Sequence, residues 1–244
     1  MIEQAREKDK IKPESIYSLH GIPVLLKDNI NYKNLPTTAG SFALNDNISS
    51  NAFVVNKLEE NGALILGKTN FSEWAYYFCN NCPSGYSALG GQTLNPYGRK
   101  KFDSGGSSSG SGAAISANFS TVSLGSETSG SILSPSSANS IVGLKPTIGL
   151  VSRSGIIPIS NTLDTSGPMT KNVIDNAIVL KAIQGYDPSD NKSAVVLKIN
   201  LESILNSSLK DKRFGVFESF MKDSLYMNAI NTIKSLGGCL LYTS

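Results

Sequence analysis

Short apolar runs alternate along the chain with segments whose apolar positions recur at helical spacing. Residues 22–26 form one such run, ending at Lys27-Asp28-Asn29, and read as a buried strand meeting a loop. In residues 51–61, Phe53, Val54, Val55 and Leu58 follow a helical pattern, and residues 62–68 then read as helix stop, buried strand and turn. A short helix is expected over 70–78, carrying Trp74 and Tyr76, and a tightly packed one over 110–118, where Ala113, Ala114, Ile115 and Ala117 fall. Residues 121–125 alternate like a strand, residues 141–144 form a further apolar segment, and Val173, Ala177 and Leu180 share one face of a later helix. Strands alternating with helices predict an α/β architecture around a mixed sheet flanked by helices, with residues 1–244 as a single domain. The helical pattern over 227–236 is followed by Gly237-Gly238 and by a fresh strand at 239–242, so the sheet is expected to be incomplete.

Composition narrows the function classes. Of 244 residues, 40% are hydrophobic and 17% charged, enough for a sizeable core. The net charge of +3 is mild, and the basic residues form no unmixed run, which argues against nucleic acid or a membrane surface as partner. The polar start, Met1-Ile2-Glu3-Gln4-Ala5-Arg6-Glu7, is no secretory leader, so a cytoplasmic location is expected. No charge falls between Ser104 and Ser126, yet that stretch is too rich in Ser and Gly for hydrocarbon. It reads as packed protein interior.

Cys79 and Cys82 have C-x-x-C spacing, but a zinc site needs two further ligands, and the chain offers only His20 and the distant Cys239. Two reduced loop cysteines are the expectation, with no metal and no cofactor. His20 is likewise read as a structural hydrogen-bonding residue, since a base in a triad would need an orienting carboxylate as well.

The chemistry centres on two tracts, S-G-G-S-S-S-G-S-G at 104–112 and G-S-E-T-S-G-S-I at 125–132. Gly/Ser strings are usually linkers. A serine nucleophile, however, needs backbone N–H groups curled around a tetrahedral oxyanion, and small residues at 129 and 130 permit that. It also needs a base. A lysine with the ordinary pKa of about 10.4 is neutral in roughly one molecule of a few thousand at pH 7, but burial can lower that pKa by several units. Lys27, closing an apolar strand, is the candidate.

Three segments in this order, residues 21–29, 105–110 and 125–132, closely resemble the amidase signature family. Gly143-Leu144-Lys145-Pro146-Thr147 and Asp164-Thr165-Ser166-Gly167-Pro168-Met169 match its downstream pattern, and the similarity runs from about His20 to Pro188. The resemblance implies the amidase-signature fold and a Ser–Ser–Lys triad acting on an amide substrate through an acyl-serine intermediate. Ser131 would be the nucleophile, Ser107, on a cis peptide, the proton relay, and Lys27 the neutral base. Backbone N–H groups of Thr128, Ser129, Gly130 and Ser131 would form the oxyanion hole.

Glu127-Thr128-Ser129-Gly130-Ser131 departs from the Asp-Thr-Gly-Gly-Ser of many members and resembles the bacterial peptide amidase branch, which removes C-terminal amides from peptides. Residues 70–75 and 90–97 share that likeness. Leu133 stands where many members carry Arg, which counts against the alternative, a glutamine-hydrolysing subunit of a tRNA amidotransferase. Members are also usually far longer. The chain is thus expected to hold the N-terminal and central part of the family domain without its C-terminal part, and a truncated, inactive remnant is the third reading.

Overall fold

The structure is a computed structural model describing residues 1–13, 15–79, 81–194 and 197–243. An exposed helix, α1 (Ile2–Asp9), precedes β1 (Pro23–Lys27). Side chains alternate across a strand, so Val24 and Leu26 join an apolar cluster on one face while Leu25 and Lys27 take the other. α2 (Phe53–Glu60) covers the apolar face with Val54, Val55 and Leu58, each fully buried and contributing roughly 1.5–3 kcal/mol of burial. It stops at Gly62, where a left-handed φ of +86° and the closeness of the His20 backbone both disfavour a side chain. β2 (Leu64–Thr69) then pairs parallel with β1, placing Thr69 beside Lys27.

A small hairpin, β3 (Tyr86–Ser87) and β4 (Gly91–Gln92), leads to α3 (Ser109–Ser116). β5 (Val122–Glu127) lies parallel to β1 on its other side. After α4 (Leu133–Ala138) and β6 (Val142–Gly143), β7 (Thr165–Thr170) runs antiparallel to both β5 and β6. The resulting order, β2-β1-β5-β7-β6, is a mixed sheet. α5 (Val173–Ile183) adds Val179, Leu180 and Ile183 to the cluster that α2 covers.

The opposite face is built differently. α3 is made of Ser, Gly, Ala and one Ile, and small side chains let its backbone approach the sheet. Its polar groups are satisfied locally: Thr69 Oγ1 and Ser111 Oγ are 2.8 Å apart, Ser111 donates to Leu124 O at 3.2 Å, and Ser123 donates to Ser111 O at 3.2 Å. The uncharged stretch is interior over most of its length, with Ser104, Ser107, Ser108, Ser109, Ser111 and Ser123 buried, but it surfaces at Asn118, Phe119 and Thr121.

Contacts divide the chain into two compact units, Met1–Ile199 and Asn200–Ser244. The second contains α6 (Leu201–Leu205), β8 (Arg213–Phe217), α7 (Ser224–Ser235) and β9 (Cys239–Thr243), with β8 parallel to β9 and Asp223 capping α7 through the Leu225 and Tyr226 amides.

Two local expectations change. Residues 70–78 form no regular helix: Glu73–Tyr76 is a 3-10 turn in which Trp74, Ala75 and Tyr76 have positive φ. The backbone there bonds to distant partners, Ser72 N–H to Ser107 O at 3.1 Å and Trp74 N–H to Ala39 O at 2.9 Å, in place of a helical ladder. The cysteines expected to be reduced are joined as a Cys79–Cys82 disulfide, the turn through left-handed Asn81 bringing their Cα atoms to 5.7 Å. Among the described residues, no helix is long and apolar enough to cross a membrane, and no three His, Cys, Asp or Glu side chains cluster as metal ligands.

Candidate active site

Lys27 is the last residue of β1 and is only 1% exposed. Its Nζ lies 2.7 Å from Ser107 Oγ and 3.0 Å from Ser126 O, and sits 5.2 Å from the centre of the Phe71 ring. Burial pushes its pKa down to about 7, with Asp164 and Glu127 pulling in the opposite direction. The neighbouring half-buried lysine, Lys68, makes a useful contrast. Its ammonium lies 3.2 Å from Asp28 Oδ1, so a carboxylate supports its charge, whereas the atoms bonded to Lys27 are a hydroxyl and a carbonyl.

Ser107 precedes α3 and is fully buried. The Gly106–Ser107 peptide is cis. A side chain at Gly106 would collide with the Tyr76 hydroxyl at 2.0 Å, so the segment needs glycine where the 72–76 turn crosses it. Asn70 organises the same region: its carbonyl accepts the Gly110 N–H at 2.9 Å, and its side-chain amide donates to Gly85 O and Gly91 O.

Ser131 follows β5 by four positions and is buried, and its carbonyl accepts the Ser108 N–H at 3.1 Å. Strand order explains how these segments converge: β1 brings Lys27, its parallel neighbour β5 leads to Ser131, and the connection between β2 and β5 carries Ser107. Lys27 and Ser107 are joined directly, whereas among the described residues Ser131 Oγ has no hydrogen bond to either. The turn 127–133 is wrapped around one buried carboxylate. Glu127 Oε1 accepts the Gly130 N–H at 2.8 Å, while Oε2 accepts those of Ile132 at 2.7 Å and Leu133 at 2.9 Å. The Gly130 amide, expected to face an oxyanion, is therefore engaged by Glu127. Among the described residues, the Thr128, Ser129 and Ser131 amides donate to no protein acceptor.

A family model for amidases matches residues 1–236. The chain belongs to the amidase family. It is 44% identical over 243 residues to a "probable amidase" of Arabidopsis thaliana, covering 97% of this chain and 47% of the relative. A glutamyl-tRNA(Gln) amidotransferase subunit from Thermoanaerobacter pseudethanolicus is 41% identical, covering 96% of this chain and 47% of its own length. Among solved structures, native peptide amidase from Stenotrophomonas maltophilia superposes with a TM-score of 0.91 at 42% identity, covering all of this chain and 52% of that one. The chain thus spans about half the length of the curated relatives it matches. The mixed α/β fold is the amidase-signature one, as the motifs imply.

Within this amidase-family unit, reading the sequence left three residues without a role. Thr128 Oγ1 donates to Asp164 Oδ1 at 2.5 Å, and Asp164 Oδ2 accepts the Ile159 and Ser160 amides at 2.7 and 2.9 Å. Lys145 Nζ donates to Thr128 O at 2.5 Å and lies 3.9 Å from Glu127 Oε1. Glu127 carried a signal: it is the charge that ends the uncharged run from Ser104 to Ser126. Lys145 and Asp164 lay in matched motifs, but nothing local says what they hold. A cavity of about 520 Å³ opens beside Glu127 and Asp164, lined also by Asn29, Thr128, Arg153 and Ile157 among others. The Arg153 guanidinium is not free there, since Asp190 binds it at 2.6 and 3.0 Å. His20 is bonded to the Lys8 carbonyl, a structural role.

Proposed function

We propose that this chain carries the catalytic apparatus of an amide hydrolase in which Ser131 is the nucleophile, Ser107 the relay and Lys27 the base. The observation that carries the reading is the buried contact of 2.7 Å between Lys27 Nζ and Ser107 Oγ, with no carboxylate bonded to that lysine among the described residues. Neutral Lys27 accepts a proton from Ser107 as Ser107 takes the proton of Ser131, whose Oγ attacks the amide carbonyl carbon. The Thr128, Ser129 and Ser131 amides hold the oxygen that becomes negative. Collapse breaks the C–N bond, the leaving nitrogen takes a proton through Ser107, and ammonia or an amine departs. Water then hydrolyses acyl-Ser131 by the same route. Both compact units belong to one amidase domain on this reading, which the family match across residues 1–236 supports.

Peptides with C-terminal amides are the proposed substrates, supported by the likeness to the Stenotrophomonas peptide amidase over the whole chain. The kinship with glutamyl-tRNA(Gln) amidotransferase subunits favours a second reading, glutamine hydrolysis. Against it, Leu133, with no charge to offer a substrate carboxylate, is 49% exposed at the start of α4. Incubation with a fluorophosphonate and peptide mapping tests the triad: label on Ser131, abolished in Ser131→Ala, is expected. An unlabelled Ser131 in folded protein sinks the reading. Release of ammonia from a peptide amide against release from glutamine decides between the substrates.

A further inference from the structure

We infer that Lys145 is a positioning residue of the oxyanion hole, acting through the Thr128–Ser129 peptide. The inference rests on the reading above, in which the Ser129 amide is an oxyanion donor. A trans peptide is planar, with C=O and N–H pointing in opposite directions. The carbonyl of Thr128 and the amide N–H of Ser129 belong to the same peptide. Lys145 Nζ donates to that carbonyl at 2.5 Å, a charge-assisted bond at one end of the group whose other end carries the Ser129 N–H. Drawing electron density toward the carbonyl oxygen makes the N–H a stronger donor, since bonds in a chain polarise one another.

Geometry holds the lysine in place. Leu144 N–H donates to Pro168 O at 3.2 Å, and a side chain at Gly167 would meet Leu144 O at 2.1 Å, so residue 144 is seated directly on β7. Thr128 is fixed independently by the bond from its hydroxyl to Asp164. The Thr128–Ser129 peptide is therefore clamped from two segments of the chain. With the Gly130 amide turned to Glu127, more of the oxyanion's stabilisation falls on the amides of Thr128, Ser129 and Ser131.

A purely electrostatic role, as counter-ion to Glu127 at 3.9 Å, is the rival explanation. The two separate in the infrared spectrum of an acyl-enzyme formed from an activated ester with a ¹³C-labelled carbonyl, because a weaker oxyanion hole raises the carbonyl stretching frequency. Lys145→Met is expected to raise that frequency and to lower kcat by roughly tenfold with little change in KM, less than the 10²–10³ that follows loss of a whole donor. Lys145→Gln, a neutral donor, should fall between; it is also the variant that decides if Lys145→Met does not fold. A lowered melting temperature with unmoved frequency and kcat leaves only the counter-ion role and overturns the inference. Failure of the unaltered chain to acylate at Ser131 overturns the triad reading itself and removes the basis for this one.

Discussion

Lys27 Nζ lies 2.7 Å from Ser107 Oγ, although 80 positions separate the two residues in the chain. The contact is buried, and the proposed base is suited to its task only while it is neutral. Lys27→Arg is therefore expected to cost about 10²–10⁴ in acylation rate, much as Lys27→Ala would, because guanidinium keeps its proton at any working pH. Acylation kinetics on folded variants check this. An Arg variant with full activity removes Lys27 from the mechanism.

The pH dependence follows from the same group. With its pKa pushed down to about 7, Lys27 becomes protonated as pH falls through neutrality. Acylation should decline below about pH 7 and level off above it. A profile flat from pH 5 to 8 would contradict the assignment.

Stability should also rise with pH, but over a higher window than activity. Below the folded pKa, Lys27 is charged in both folded and unfolded chains, so the full cost of burying an ammonium is present. Between about 7 and the ordinary value of 10.5 the unfolded chain binds more protons, and the cost is relieved as pH rises. Lys27→Met should thus melt higher than the unaltered chain at pH 6, with the gap narrowing toward pH 10. Calorimetry across that range reads it directly; a gap independent of pH would refute the buried-charge account.

Adjacent serines should separate cleanly. Ser108 Oγ donates to Ser126 O at 3.2 Å, a bond worth about 1 kcal/mol, and among the described residues makes no hydrogen bond to Lys27, which shares that acceptor. Ser108→Ala is expected to lose about that much stability while retaining turnover, whereas Ser107→Ala should lose turnover. Equal kinetic losses would shift the relay by one residue. The Cys79/Cys82→Ala pair, outside the proposed chemistry, should also remain active.

Glu127 binds three backbone amides with two oxygens. Glu127→Gln presents an NH₂ group where an acceptor is needed and strands at least one buried donor, at a cost of about 1–3 kcal/mol. Denaturant titration should show that loss together with slower labelling of Ser131. Unchanged stability would mean that the turn does not depend on the carboxylate.

Much of this was legible in the sequence. The strands ending at Lys27 and beginning near Val122, the helix from Phe53, and the Gly/Ser tracts all announce themselves through local pattern, and the proposed triad residues through motif order. What stayed hidden depends on distant partners. β7 holds Gly and Pro and lacks alternation because it is buried along its whole length. The turn at 73–76 replaces a helix because Ala39 and Ser107 take its backbone bonds, and Asn81 closes a disulfide that spacing alone leaves open. β8, short and mostly exposed, gave no periodic signal. Lys145 and Asp164 meet Thr128 only once β6 and β7 are paired.

The two faces of β1 carry incompatible chemistries, apolar cluster against Val24 and Leu26, hydroxyls and carbonyls against Lys27. Because the pleat has a period of two, a slip by one residue would turn the lysine into hydrocarbon and Leu26 into the serine chamber. A misregistered sheet is then penalised before any substrate arrives. Mutational drift that preserves folding is constrained to preserve the aim of the base as well, so natural variants of this strand should interchange residues within each face and seldom across them.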